Sequence, residues 1–186
     1  MSRTFITGDL HSSPGAIART VAQIDNPKGD DKIIICGDAG FEYMSYISGA
    51  AKKAAKRFPG SWIVLRGNHD SRYWEEHCNP QGTPKEGWSY TDDRKYLYQK
   101  KYPNIFYVSD AGGLYTINDL NFLFIPGAYS VDRDYRLKHG FPWNPQEQLT
   151  EKERDNLISL VKKCNKENIA IDFVIGHTFP CQIEPY

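Results

Sequence analysis

The stretch Trp62-Ile63-Val64-Leu65-Arg66-Gly67-Asn68-His69-Asp70 decides how the rest of the chain is read. Its first half is apolar and partly β-branched without alternation, the pattern of a short strand covered on both faces. Gly67 ends that strand and permits a sharp turn. The turn then presents an amide, an imidazole and a carboxylate in succession. Such groups at the carboxyl end of a strand stand where open α/β sheets carry their active sites.

The same arrangement recurs upstream. Residues 3–7 predict a strand that ends in Gly8-Asp9-Leu10-His11. Ser13 as N-cap and Pro14 at the first helical position predict a helix over 14–24. Residues 32–36, Lys-Ile-Ile-Ile-Cys, predict a second strand, ending in Gly37-Asp38-Ala39-Gly40. A helix over 42–57 follows, closed by Pro59-Gly60. Its Lys52, Lys53, Lys56 and Arg57 read as a solvated face that complements the helix dipole, with phosphate contact as the alternative. Strands alternating with helices imply right-handed crossovers and parallel pairing, which brings the carboxyl ends to one edge.

Downstream the pattern changes. Residues 71–103 hold Trp74, Trp88, Tyr90, His77 and Cys78 without clean periodicity. They read as an excursion with short helices over the active-site edge. Its aromatics are expected to pack on the body rather than stack on a nucleobase. Residues 105–109, 113–117 and 120–125 return to a β pattern, with Asn118-Asp119 as a hairpin turn. The loop 128–143 carries Asp132, Arg133, Asp134, Arg136 and His139. Thr150-Glu151-Lys152-Glu153 is a capping box, and Leu157, Ile158, Leu160, Val161 and Cys164 recur after it at helical spacing. Residues 169–175 predict a buried strand, ending in Gly176-His177-Thr178-Phe179-Pro180.

The 186 residues suit one domain, 1–186, with a core large enough to fold. Lys+Arg and Asp+Glu are 23 each, so the net charge is zero. That argues against a strongly basic face for sequence-independent nucleic-acid binding, while leaving room for a local patch. No apolar run approaches the roughly 20 residues needed to span a bilayer, and no charged-then-apolar leader is visible. The four Cys form no C-x-x-C pair, which points to reduced thiols and a cytoplasmic setting. Oligomeric state is not legible in these residues.

Asp9 and His11, Asp38, Asn68 with His69 and Asp70, and His177 thus fall after four separate strands. Carboxylate, imidazole and amide oxygen together suit Mn, Fe or Zn. An aspartate can also bridge two cations, as two-metal hydrolases require.

The ordered set Gly8-Asp9-Leu10-His11, Gly37-Asp38, Gly67-Asn68-His69-Asp70 and a His after a buried strand resembles the calcineurin-like metallophosphoesterases. Residues 124–132, Phe-Ile-Pro-Gly-Ala-Tyr-Ser-Val-Asp, resemble a strand and loop of small bacterial and phage members. The resemblance runs from Thr4 to Pro180 and is thinnest over 71–103. It implies an α/β fold of two packed mixed sheets flanked by helices, a four-layer sandwich. It also implies a dinuclear metal-dependent phosphoesterase acting on a phosphomonoester or phosphodiester with a metal-bridged hydroxide.

The resemblance assigns roles residue by residue. Asp9 and His11 would hold the first of two divalent ions, Asp38 would bridge both, and Asn68 and His177 would hold the second. Mn²⁺ is the expected ion, with Fe or Zn as alternatives. His69 would protonate the leaving oxygen or stabilise charge on the phosphate, and Asp70 would orient its ring. Apart from the resemblance, Arg133, Arg136 and His139 are candidate substrate-binding residues. The arginines could grip a phosphate, with a surface ion pair to Asp132 or Asp134 as the alternative. His139 stands near the expected substrate edge, with a plain surface histidine as the alternative. The expected partner is a phosphorylated substrate: a small molecule, a nucleotide or a phosphoprotein.

Two departures qualify the resemblance. Phe41 stands where many members have a second Asp. Gly176-His177-Thr178-Phe179 lacks the second His of the family's Gly-His-x-His segment. The sequence reading is therefore that the last motif and the final strands are missing, leaving an open sheet edge. This keeps a second class in play, a non-catalytic or weakly active binding module with an incomplete metal site. A nuclease of the same fold is the third reading.

Overall fold

A computed structural model describes residues 2–42, 45–141 and 143–178. The first third follows the alternation in the sequence: β1 (Thr4–Thr7), α1 (Pro14–Ala22), β2 (Lys32–Ile35), α2 (Ser45–Ala55) and β3 (Ser61–Val64). All three strands pair in parallel. The side chains of β2 and β3 show why these runs carry no polar face. Ile33, Ile35, Trp62 and Val64 enter one apolar core, while Ile34, Ile63 and Leu65 enter another on the opposite side. α1 is fixed at its start by the Ser13 hydroxyl, which accepts from the Ala16 N–H at 3.1 Å, and by Pro14 at the first position. α2 presents Lys53, Lys56 and Arg57 nearby to solvent, but Lys52 corrects the expected solvated face. It is buried and donates to Glu42 at 2.9 Å.

Residues 71–103 build more regular structure than their sequence suggests. They form α3 (Tyr73–His77), β4 (Trp88–Tyr90) and β5 (Leu97–Gln99), followed by β6 (Ile105–Tyr107). The six-stranded sheet has the order β1-β2-β3-β6-β5-β4, with β6 parallel to β3 and the last two strands antiparallel. The expected excursion with short helices is therefore corrected to one helix and a sheet extension. Strands of three residues are too short to show a period. The aromatics do pack on the body. Trp88 stacks on His77 at 3.8 Å between ring centroids, and Trp74 lies 4.9 Å from Tyr90.

The second sheet contains β7 (Gly113–Ile117), β8 (Leu120–Ile125) and β9 (Phe173–Gly176), in that order. Asn118 and Asp119 turn the β7–β8 hairpin with φ of 50° and 64°, as a primed turn demands. β9 joins parallel to β8. The strand expected over 169–175 is shorter and less buried, because Phe173 and Val174 face solvent and Ile175 alone is well covered. Between them lie α4 (Arg133–His139) and α5 (Glu151–Lys166), the latter opened by the Thr150/Glu153 capping box.

α1 and α2 cover one face of the large sheet, the second core lies between the sheets, and α5 rests against β7. This is a mixed α/β sandwich of two packed sheets with helices outside. No helix among the described residues is long and apolar enough to cross a membrane. Phe179, Pro180 and residues 181–186, on which the expectation of a missing last motif rests, lie outside the described residues.

Candidate metal centre

The loops after β1, β2 and β3 lock into one another before any side chain reaches the site. The N–H groups of Leu10 and His11 donate to the Asp38 carbonyl at 3.2 and 2.9 Å, and the Ser12 N–H donates to the Ala39 carbonyl at 3.0 Å. His11, Ser12 and Asp38 all adopt left-handed backbone, with φ of 43°, 57° and 49°. Non-glycine residues in this region carry strain, and such strain gathers at functional sites. Gly67 is required by proximity: a Cβ there would stand 2.2 Å from Asp38 Oδ1.

These loops bring together the residues that follow four strands. Ligand atoms of Asp9, His11 and Asp38 all lie within 4.8 Å of one another. Asp38 is buried, and its Oδ1 accepts the His69 backbone N–H at 2.9 Å. His177, just past β9, has Nε2 2.9 Å from Asn68 Oδ1 and 3.4 Å from Asp38 Oδ2. Its Nδ1 lies 2.8 Å from the Cys36 carbonyl oxygen.

The donor set fits a cation. The Cys36 carbonyl can only accept, so Nδ1 carries a hydrogen. Nε2 then faces two oxygens that also only accept, and a second proton is needed to hold the three together. Burial alone would lower the His177 pKa, but the hydrogen bond and charge of Asp38 outweigh it and raise it to about 9. Burial would raise the Asp38 pKa, yet the hydrogen bonds from His177 and from the His69 N–H bring it below its ordinary value. Deprotonated, Nε2 would offer a lone pair beside the Asn68 and Asp38 oxygens, a donor set that suits a divalent ion. Asp9 and His11 stand on the more exposed side, 3.4 Å apart.

His69, Asp70 and Arg136 complete the cavity lined by His11, Ser12, Asp38 and Gly40. The Arg136 Nη2 atom, from α4, lies 3.2 Å from His69 Nε2, and its Nε donates to Asp132 at 2.8 Å. Asp70 departs from the expected role of orienting the His69 ring. Its oxygens accept the backbone N–H groups of Gly40 and Gly67 at 3.2 and 3.0 Å. Being completely buried beside Asp38, it has a raised pKa, chiefly through burial. It therefore pins the loops after β2 and β3 to each other.

Two other candidates stand apart from the cavity. Arg133 lies over Trp143 at 4.8 Å, and His139 hydrogen-bonds the Tyr135 carbonyl at 2.8 Å with its ring tilted against the Tyr135 ring. Sequence reading also passed over Ser130 and Glu147, which lie behind Asn68. Ser130 sits within the resembling segment 124–132, but Glu147 belongs to no recognisable pattern.

The family model described as calcineurin-like phosphoesterase matches residues 2–181, and the chain belongs to that family. No curated protein matches the chain. Among solved structures it is similar to a protein of unknown function from Aquifex aeolicus, with 16% sequence identity and a TM-score of 0.44. That alignment covers 98% of this chain and 82% of the other.

Proposed function

We propose that the chain is a hydrolase that cleaves a phosphomonoester or phosphodiester with two divalent ions, Mn²⁺ foremost and Fe or Zn as alternatives. The observation that carries this reading is the convergence of Asp9, His11 and Asp38 within 4.8 Å, with His177 Nε2 reaching both Asp38 Oδ2 and Asn68 Oδ1. Asp9 and His11 would hold one ion, Asn68 and His177 the other, and Asp38 both. Bound ions of this kind polarise phosphoryl oxygens and lower the pKa of water toward about 7.

The chain's own residues supply the remaining parts. Arg136 reaches the cavity with a donor-only guanidinium suited to phosphoryl oxygens. In the substrate-free arrangement that guanidinium donates to His69 Nε2. An arriving phosphate would draw Arg136 onto its own oxygens and leave His69 Nε2 free to take a proton from solvent and pass it to the leaving oxygen. Asp70 keeps the Gly40 and Gly67 turns in register, so that Asp38 and Asn68 stay fixed. The free thiols of Cys36, Cys78 and Cys164 support a reducing, cytoplasmic setting.

Nitrophenol release from mono- and bis-nitrophenyl phosphate, with Mn²⁺ titrated, tests the reading. Activity should require Mn²⁺ and vanish in Asp38→Asn. Undiminished activity in Asp38→Asn, or a chain that neither binds Mn²⁺ nor cleaves either ester, overturns it. Folded protein without Mn²⁺ would favour the binding-module alternative, and Mn²⁺-dependent cleavage of DNA or RNA alone would favour the nuclease.

A further inference from the structure

An asparagine amide has two unlike ends. Only its oxygen can face a cation or accept from an imidazole, and its NH₂ would repel both. Which end faces the candidate metal centre depends on what the other end meets. Asn68 Nδ2 lies 2.9 Å from Ser130 Oγ. Ser130 Oγ in turn lies 2.5 Å from Glu147 Oε2. The same carboxylate takes the Ser130 backbone N–H at 2.8 Å and the Trp143 indole N–H at 3.0 Å.

This arrangement has a direction. The Ser130 and Trp143 N–H groups can only donate, so both Glu147 oxygens accept, and a carboxylate has no hydrogen of its own to offer Ser130. The single Ser130 hydroxyl hydrogen is therefore spent on Glu147. What Ser130 leaves toward Asn68 is a lone pair, which accepts from NH₂ and repels an amide oxygen. Asn68 must then turn Oδ1 toward His177 Nε2. Ser130 and Glu147 are both almost completely buried, 3% and 2% exposed. Glu147 is itself held in place, because buried Arg66 donates to its backbone carbonyl at 2.6 Å. Outer partners of this kind fix the orientation of metal ligands.

We propose that Ser130 and Glu147 are positioning residues that set the Asn68 amide with its oxygen toward the metal centre. The inference rests on the reading of Asn68 as a metal ligand. Ser130→Ala and Glu147→Gln should each weaken Mn²⁺ binding about tenfold in the folded protein, followed by electron paramagnetic resonance of free Mn²⁺.

The deciding measurement is a double-mutant cycle. In Asn68→Asp both side-chain ends are oxygens, so orientation no longer matters. Ser130→Ala should then cost nothing in that background. Wild-type Mn²⁺ affinity in Ser130→Ala, or the same loss in both backgrounds, overturns the proposal. If the wild-type chain binds no Mn²⁺, the phosphoesterase reading falls, and ¹⁵N spectra of the metal-free protein decide this inference alone. Slowed exchange of the Asn68 side-chain amide, lost in Ser130→Ala, supports it; equal exchange in both overturns it.

Discussion

The Nδ1 atom of His177 lies 2.8 Å from the carbonyl oxygen of Cys36, which ties the residue after β9 to the end of β2. A hydrogen bond between the two sheets thereby aims Nε2 at Asn68 and Asp38. His177→Ala removes a proposed ligand and leaves buried Asp38 without its closest cation. Mn²⁺ affinity should fall by at least about tenfold. The metal-free protein should lose about 1–3 kcal/mol in urea unfolding. Mn²⁺ binding at wild-type strength would remove His177 from the ligand set.

Gly67→Ala tests how closely the turn after β3 must approach Asp38. A Cβ would stand 2.2 Å from Asp38 Oδ1 and 2.6 Å from the Asp38 nitrogen, so the carboxylate must move. Ester hydrolysis should fall by about 100-fold, the scale expected for displacement of a reacting centre by about an ångström. Gly49→Ala in α2 is the control, since nothing lies within 4 Å of its Cβ. Replacing a helical glycine with alanine should add about 0.5–1 kcal/mol of stability without touching the site. Equal activity in the two variants would refute the close-approach argument.

Arg136→Ala separates substrate binding from metal binding. The guanidinium faces His69 and the cavity, and it is not among the proposed ligands. KM for nitrophenyl phosphate should rise about tenfold while Mn²⁺ affinity stays unchanged, and Arg136→Lys should recover part of the loss. A change in Mn²⁺ affinity with constant KM would place Arg136 in the metal shell instead.

Asp110 predicts a pH dependence away from the site. Its Oδ2 accepts the Trp74 and Glu75 backbone N–H groups at the start of α3, at 2.8 and 3.1 Å. Burial raises its pKa to about 6. The folded state thus holds a proton that the unfolded chain releases near pH 4. This group's favourable contribution is complete below about pH 4 and lost as pH rises through about 6. Asp110→Asn keeps an oxygen for the two N–H groups and removes the titration. Relative to wild type, it should gain up to about 3 kcal/mol between pH 4 and pH 7.5. Urea unfolding at both pH values measures the gain, and an identical difference at each would refute it.

The parts legible in sequence are those where local pattern and tertiary role coincide. Ile33 to Ile35 and Trp62 to Leu65 are apolar throughout because both faces of their strands are covered. The polar residue after each strand therefore had one place to go, the common edge of a parallel sheet. The rest depended on partners distant in the chain. Asp70 looks like an orienter beside His69, but the nearest donors belong to the turns at Gly40 and Gly67. Lys52 looks solvated until Glu42 is placed beside it. Ser130 and Glu147 acquire meaning only when Asn68 is brought against them, and no periodicity encodes that meeting.

β9 joins its sheet parallel to β8, with Phe122 in register with Phe173. A parallel partner cannot be reached by a tight hairpin, and here the connection spans both α4 and α5. Loop-closure entropy must be overcome before that pairing gains any energy. The local β7–β8 hairpin is therefore expected to form before β9 docks and brings His177 to the Cys36 carbonyl. On that expectation the chain collapses before His177 meets Asn68 and Asp38, and a compact state lacking that contact precedes the finished site.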